Sequence, residues 1–217
     1  MAGRVGRVSV LYDFNGGVDG ANPSSGVIFD QAGNLCGTLA NGYIVGAVFE
    51  LTPFGSSWTK SLIYHFTGKN DGSDPNGGVI FDSAGNLYGT TTYGGANGGG
   101  TVYELSPANR GWNYSLLYSL TTLNPPYWYG PLAGVIMGAD ANLYGTTFQG
   151  GQYGGGAVFK LTYSDGIWRY TSLHDFSGGS DGVGPECALL FDDAGNLYGT
   201  TFSGGVHGKG VVWEITP

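Results

Sequence analysis

Basic side chains are scarce in this chain. Lysine and arginine together number eight in 217 residues, scattered from Arg4 to Lys209, against sixteen acids, for a formal charge of −8. Phosphate backbones and anionic lipid surfaces are bound by clustered Lys and Arg, so neither nucleic acid nor a membrane surface is expected as a partner. No apolar run reaches bilayer-spanning length, so membrane insertion is not expected either. Met1–Val10 lacks the apolar stretch of a secretory signal. The only cysteines, Cys36 and Cys187, sit at non-equivalent places in the repeats described below and point to two free thiols. Familiar catalytic words are missing too: there is no GxSxG, no HExxH and no phosphate-cradling GxxxxGK[ST]. Charged residues make up 11% and aromatics 14%, the reverse of a disordered chain.

What the chain has in quantity is glycine, 43 residues without a three-residue period, together with Tyr, Phe, Val and Thr. That composition describes many short strands joined by tight turns, an all-β protein. The strands repeat. GNLCGTL at Gly33–Leu39 recurs as GNLYGTT at Gly85–Thr91, ANLYGTT at Ala141–Thr147 and GNLYGTT at Gly195–Thr201, with its Asn at 34, 86, 142 and 196. Spacings of 52, 56 and 54 lie in the range of propeller blades.

Each repeat holds four strand-like words. A short apolar word (GVIFD, GVIFD, GVIMG, ALLFD) leads through a D-x-A-G-N turn to NLYGTT. A glycine-rich loop then leads to an alternating word such as GAVFELTP, whose period of two marks a half-buried strand. The fourth word starts at Trp58, Trp112 or Trp168 and runs through SLIYHF, SLLYSL or TSLHDF. Four antiparallel strands per unit predict a four-bladed β-propeller filling residues 1–217 as one domain. Its units are approximately 8–58, 59–112, 113–168 and 169–217. The fourth-type word VSVLYDF (Val8–Phe14) precedes any complete unit, and the last unit stops after its third strand. Closure of the ring by Val8–Phe14 in the last blade is therefore expected, since it would remove the exposed sheet edges.

The composite of F-x-G-G-x-D-G-x-x-P, G-V-I-F-D-x-A-G-N-L-Y-G-T-T and G-G-G-x-V-x-E-L-T-P resembles the GloVer tandem repeat of bacterial proteins over nearly the whole chain. It is more distantly similar to NHL and two-component-regulator propeller repeats. The resemblance implies a propeller-like repeat, often in exported or surface-anchored proteins, and carries over no catalytic residue.

In the arrangement that resemblance suggests, the fourth-to-first and second-to-third loops share one face, and function is expected there. Asp19, Asp71 and Asp181 begin Asp-Gly pairs in these loops. They read either as ordinary turn residues or as a ring of carboxylates that could hold sugar hydroxyls or a cation in a central channel. No other cofactor is expected. The third unit replaces the Asp-Gly loop with TTLNPPYWYGP (Thr121–Pro131), placing Tyr127, Trp128 and Tyr129 in a row. These aromatics offer either a platform for a ligand or a plug for the channel. His174 followed by Asp175, with Glu186 past the same loop, reads as an acid–base set or as a surface histidine with two solvated acids, and His207 is a further acid–base candidate.

Two main readings follow. The first is a monomeric module that binds a glycan or other polar small molecule through Tyr127, Trp128, Tyr129, Asp181, Glu186 and His207. The alternative is a carbohydrate-active or other small-molecule enzyme with His174, Glu186 and His207 at its centre. A structural repeat for protein contacts is the third possibility.

Overall fold

A computed structural model of the chain describes residues 6–40, 45–121 and 129–216. Its strands form four antiparallel sheets, each laid out in sequence order. Sheet 1 contains β1 (Ile28–Phe29), β2 (Leu35–Leu39), β3 (Ala47–Phe54) and β4 (Ser57–His65). Sheet 2 contains β5 (Ile80–Phe81), β6 (Leu87–Thr91), β7 (Gly98–Pro107) and β8 (Trp112–Thr121). Sheet 3 contains β9 (Ile136–Met137), β10 (Leu143–Thr147), β11 (Ala157–Ser164) and β12 (Ile167–Asp175). Sheet 4 has three strands, β13 (Leu190–Phe191), β14 (Leu197–Thr200) and β15 (Val212–Ile215).

The repeated words explain these elements locally. In the first turn, Asp30 Oδ1 accepts hydrogen bonds from the amides of Ala32 and Asn34, and Asn34 Nδ2 returns to Asp30 Oδ2. Asp82 and Asp192 repeat the arrangement. The third unit carries Gly138 at that position, and Asp140 takes over, bonding Asn142, the Tyr144 hydroxyl and Lys160 Nζ. Ala141 then stands at φ 58°, where the sister turns have Gly33, Gly85 and Gly195.

The glycine inside LYGTT has a different cause. Gly37, Gly89, Gly145 and Gly199 pair across the ladder with Phe49, Tyr103, Phe159 and Trp213. A Cβ on Gly145 would lie 2.5 Å from Phe159 Cζ, and one on Gly199 would lie 2.2 Å from the Trp213 ring. Each aromatic therefore lies over bare backbone. Farther along, a bulge between Val48 and Phe49 against β4, repeated at Val102/Tyr103 and Val158/Phe159, adds one residue to each fourth strand. This sets Ile63 beside Tyr64 and Phe66 in one core.

The sheets pack face to face in sequence. Cys36, Val48, Ile63 and Phe66 of the first unit meet Val79, Leu87, Tyr103 and Leu105 of the second. The same positions join sheets 2 and 3 through Tyr88, Val102, Leu117, Leu143, Phe159 and Leu161. Sheets 3 and 4 meet through Tyr144, Val158, Phe176, Leu189 and Leu197. Trp58, Trp112 and Trp168 occupy equivalent places, opposite Pro53, Pro107 and Tyr163, and lie half-buried, Trp112 and Trp168 against the first two of these cores and Trp58 against Leu35, Leu39, Phe49 and Leu51.

The expected closed four-bladed propeller does not form. The four sheets remain separate and none closes on itself. Val8–Phe14 is not a strand of sheet 4: it lies on sheet 1, where Tyr12 and Phe14 cover the core of Leu35, Leu39, Phe49 and Leu51. Phe14 meets Phe49 edge to face at 5.2 Å, and Lys60 Nζ pairs with Asp19 Oδ1 at 2.6 Å. Among the described residues, no core cluster joins sheet 4 to sheet 1. The packing pattern read from the repeat specifies what each sheet does to its neighbour. It does not specify that four such steps complete a circle.

Candidate functional site

The fourth-to-first and second-to-third loops meet on one face, as the resemblance implied. Gly95 donates its amide to the Lys69 carbonyl, Gly205 donates to Gly179, and short bridges join Ser73 to Tyr93 and Val183 to Ser203. On this face the Asp-Gly aspartates are spent on their own loops. Asp71 accepts hydrogen bonds from the Tyr64 hydroxyl and from the amide and hydroxyl of Thr67. Asp19 does the same with Tyr12, the Asn15 amide and Lys60; Asp181 does it with Ser177 and His174. The Lys60 bond, reinforced by the Asn15 amide, holds the Asp19 carboxyl down at about 2. Burial raises Asp71 and Asp181, but the hydrogen bonds from Thr67 and Ser177 outweigh it and leave both below the usual carboxylate value. The three aspartates are not brought together. Among the described residues, no three His, Cys, Asp or Glu side chains form a group that could hold a metal.

These aspartates also clamp the next sheet. Tyr64 stacks on Tyr114 with ring centroids 4.6 Å apart, and the Tyr114 hydroxyl donates to the Asp71 carbonyl at 3.1 Å. At the previous step, Lys60 stands where Tyr114 stands and bonds both Asp19 oxygens, main-chain and side-chain. The step between sheets 2 and 3 keeps the stacked pair, Tyr118 on Tyr170 at 5.1 Å, but its loop Thr121–Pro131 contains no acidic residue. A cavity of about 280 Å³ lies there, lined by Tyr118, Tyr170, Thr147, Gln152, Ser172 and Asp175 among others. Asp175 Oδ1 accepts from the Ser172 hydroxyl at 3.0 Å. Burial, with the Asp175 charge behind it, pushes the Tyr170 phenol up to about 12, so at neutral pH its hydroxyl remains a donor. The cavity thus offers two phenols and a carboxylate between aromatic and glycine walls.

None of the described site residues Tyr129, His174, Asp181, Glu186 and His207 lines this cavity; His174 and Asp181 line another, along β15. Tyr127 and Trp128 lie outside the described residues. Tyr129 rests between Tyr93 and Phe148, 5.6 and 6.1 Å away by ring centroid, and its amide donates to Gln149 Oε1. Its side chain remains exposed. His174 Nε2 lies 3.2 Å from Asp181 Oδ2. That pair sits at the repeat position of Tyr12–Asp19 and Tyr64–Asp71, where the first member holds the loop. Glu186 and His207 are exposed. The residues that sequence reasoning missed are Tyr118 and Tyr170; it names Asp175 only beside His174 and Glu186. Each looks like a strand residue in isolation, and only comparison of the Tyr64–Asp71–Tyr114 trio with its acid-free counterpart singles them out.

The comparisons agree with the repeated words. Residues 2–134 and 113–217 match the Gloeobacter/Verrucomicrobia repeat family in two overlapping segments. The chain belongs to this family. The match supports the GloVer resemblance and lends nothing to the more distant NHL likeness. No curated protein matches the chain. Among solved structures, a protein of unknown function from Dyadobacter fermentans is similar at 13% identity with a TM-score of 0.48, over 88% of this chain and 64% of that one. The GloVer chain thus spans about two thirds of that protein's length.

Proposed function

We propose that this GloVer chain is a binding module for a polar small molecule, with the ligand seated between sheets 2 and 3. The observation that carries the reading is the broken equivalence at Tyr118–Tyr170. Two sister steps bring an aspartate loop to this place, and at the third the described residues line a cavity that includes Tyr118, Tyr170 and Asp175. A pocket with mostly apolar walls and a few placed polar groups is the usual form of a small-molecule site. A carboxylate acceptor, phenol donors and aromatic edges suit a neutral or cationic ligand rich in hydroxyls, such as a sugar ring. The chain's charge of −8 disfavours an anion.

The enzyme reading gains less. His174–Asp181 has the geometry of a loop clasp shared with two other units, and Glu186 makes no hydrogen bond with a described residue. Binding is the reading we adopt.

The test is a titration of neutral mono- and disaccharides followed by saturation-transfer NMR, on the natural chain and on Tyr170→Phe and Asp175→Asn. A hydrogen bond to a charged group is worth about 1.5–3 kcal/mol, so Asp175→Asn should weaken binding by roughly 10- to 100-fold. Melting temperature should change little. Affinity unchanged in both variants would place the ligand elsewhere.

A further inference from the structure

We propose that the groove between the first turns of sheets 1 and 2 is a second binding site, and that it takes a small phenol, a single aromatic ring with a free hydroxyl. The groove lies at the other end of the strands from the cavity at Tyr118 and Tyr170. Its volume is about 360 Å³, and its walls include Asp30, Gln31, Phe81, Asp82, Pro107 and Trp112.

The inference starts from Cys36. It faces Glu50 across the ladder, at the position where the later units pair Tyr88 with Glu104, Tyr144 with Lys160 and Tyr198 with Glu214. Each of those three phenols reaches back to the aspartate of its own turn. Tyr88 donates to Asp82 Oδ2 at 3.1 Å, Tyr144 to Asp140 Oδ2 at 2.8 Å and Tyr198 to Asp192 Oδ2 at 3.0 Å. A cysteine side chain is too short for that reach. Asp30 Oδ2 accepts only from Asn34 Nδ2 among the described residues. A carboxylate oxygen has two acceptor positions, so the one that a phenol fills in the other three units is left open here.

The partners of the missing ring are retained. Tyr88 belongs to a core against which Met137 and Trp168 pack, and Cys36 to the corresponding core, against which Phe81 and Trp112 pack. Phe81 and Phe191 hold the same register on their second strands, opposite Leu87 and Leu197. Phe191 meets the ring of Tyr144 edge to face at 4.9 Å. A ring entering the groove beside Phe81 would repeat that contact, with its hydroxyl directed at Asp30 Oδ2.

Size and charge narrow the ligand further. A cavity of about 150 Å³ is enough for benzene, so this groove has room for one ring and a small substituent. Asp30 and Asp82 among its walls favour a neutral ring over one that carries a carboxylate. Gln31 Nε2 donates to the Ser83 carbonyl at 3.4 Å, tying the first turn of sheet 1 to that of sheet 2.

The test titrates p-cresol, the tyrosine side chain as a free molecule, against the natural chain and Cys36→Tyr at neutral pH, followed by NMR. p-Cresol should bind the natural chain in the millimolar range, with nuclear Overhauser contacts to the Trp112 indole. Its methyl ether, the same ring with the donor capped, should bind about 10-fold more weakly through loss of a hydrogen bond to a charged acceptor. Cys36→Tyr supplies the ring from within and should abolish p-cresol binding without lowering the melting temperature, whereas Cys36→Ala should bind as the natural chain does. Should Cys36→Tyr fail to fold, the two ligands decide the matter on the natural chain alone. Absence of p-cresol binding, equal affinity for the methyl ether, or binding that survives Cys36→Tyr would overturn the proposal. Overhauser contacts to Tyr118 and Tyr170 in place of Trp112 would overturn it as well.

Discussion

At Gly145 a single hydrogen atom decides whether two strands can lie flat. Phe159 covers that backbone so closely that an added Cβ would sit 2.5 Å from its ring, while both residues lie in the interior. Gly145→Ala should therefore destabilise the protein by about 1–3 kcal/mol through overpacking, measured by urea unfolding. A change below half that would mean that the ring swings aside freely. Ala141 is the opposite case. It holds φ 58°, a left-handed conformation that its sister units give to glycine. Relief of that strain is partly offset by the greater freedom of glycine in the unfolded chain. Ala141→Gly should stabilise by about 0.5–1 kcal/mol, and a loss of stability would contradict the account. Sequence reading recognised the glycine of LYGTT only as a repeated letter. Its steric cause needs the partner strand's ring, which lies over ten residues away in the chain.

Among elements, the loops that clamp one sheet to the next depend on ionised aspartates. Asp19, Asp71 and Asp181 are all held below the ordinary carboxylate value, Asp19 at about 2 against 3.8. A carboxyl with a lowered folded value contributes stability above the unfolded value, and that contribution is lost as pH falls through the folded one. Asp74 and Glu104, pushed up by burial, act in the opposite sense as they protonate. The turn aspartates Asp82, Asp140 and Asp192 share the lowered value, so the net slope is set by the lowered group. The melting temperature should be nearly flat from pH 7 to about 5 and fall between pH 4 and 2, with a shallower fall in Asp19→Asn. A melting temperature independent of pH down to 2.5 would reject the clamp role. Element identity was legible in the sequence, since NLYGTT became β6 and β10 and the alternating words became β3, β7 and β11. The clamp was half-legible: Asp-Gly marked the turn, but its bonds to Tyr64 and Tyr114 join residues from different strands.

For the whole molecule, the repeat words were a sound guide to four successive β units and a poor guide to their closure. VSVLYDF carries the pattern of a fourth strand because its Tyr12 and Phe14 make fourth-strand contacts, and those contacts are with sheet 1. Whether sheet 4 swings round to meet the same segment depends on the angle between neighbouring sheets, which no spacing of 52 to 56 residues encodes. The central claim is the proposal for the step whose loop lacks Asp-Gly: that a ligand binds in the cavity between sheets 2 and 3. The direct measurement replaces Thr121–Pro131 with Thr67–Pro75, restoring an aspartate beside Tyr118 and Tyr170, and repeats the saccharide titration by saturation-transfer NMR. The account predicts that at least one saccharide binds the natural chain and that the graft abolishes its binding without lowering the melting temperature. No saccharide bound by the natural chain, or binding that survives the graft, would contradict it.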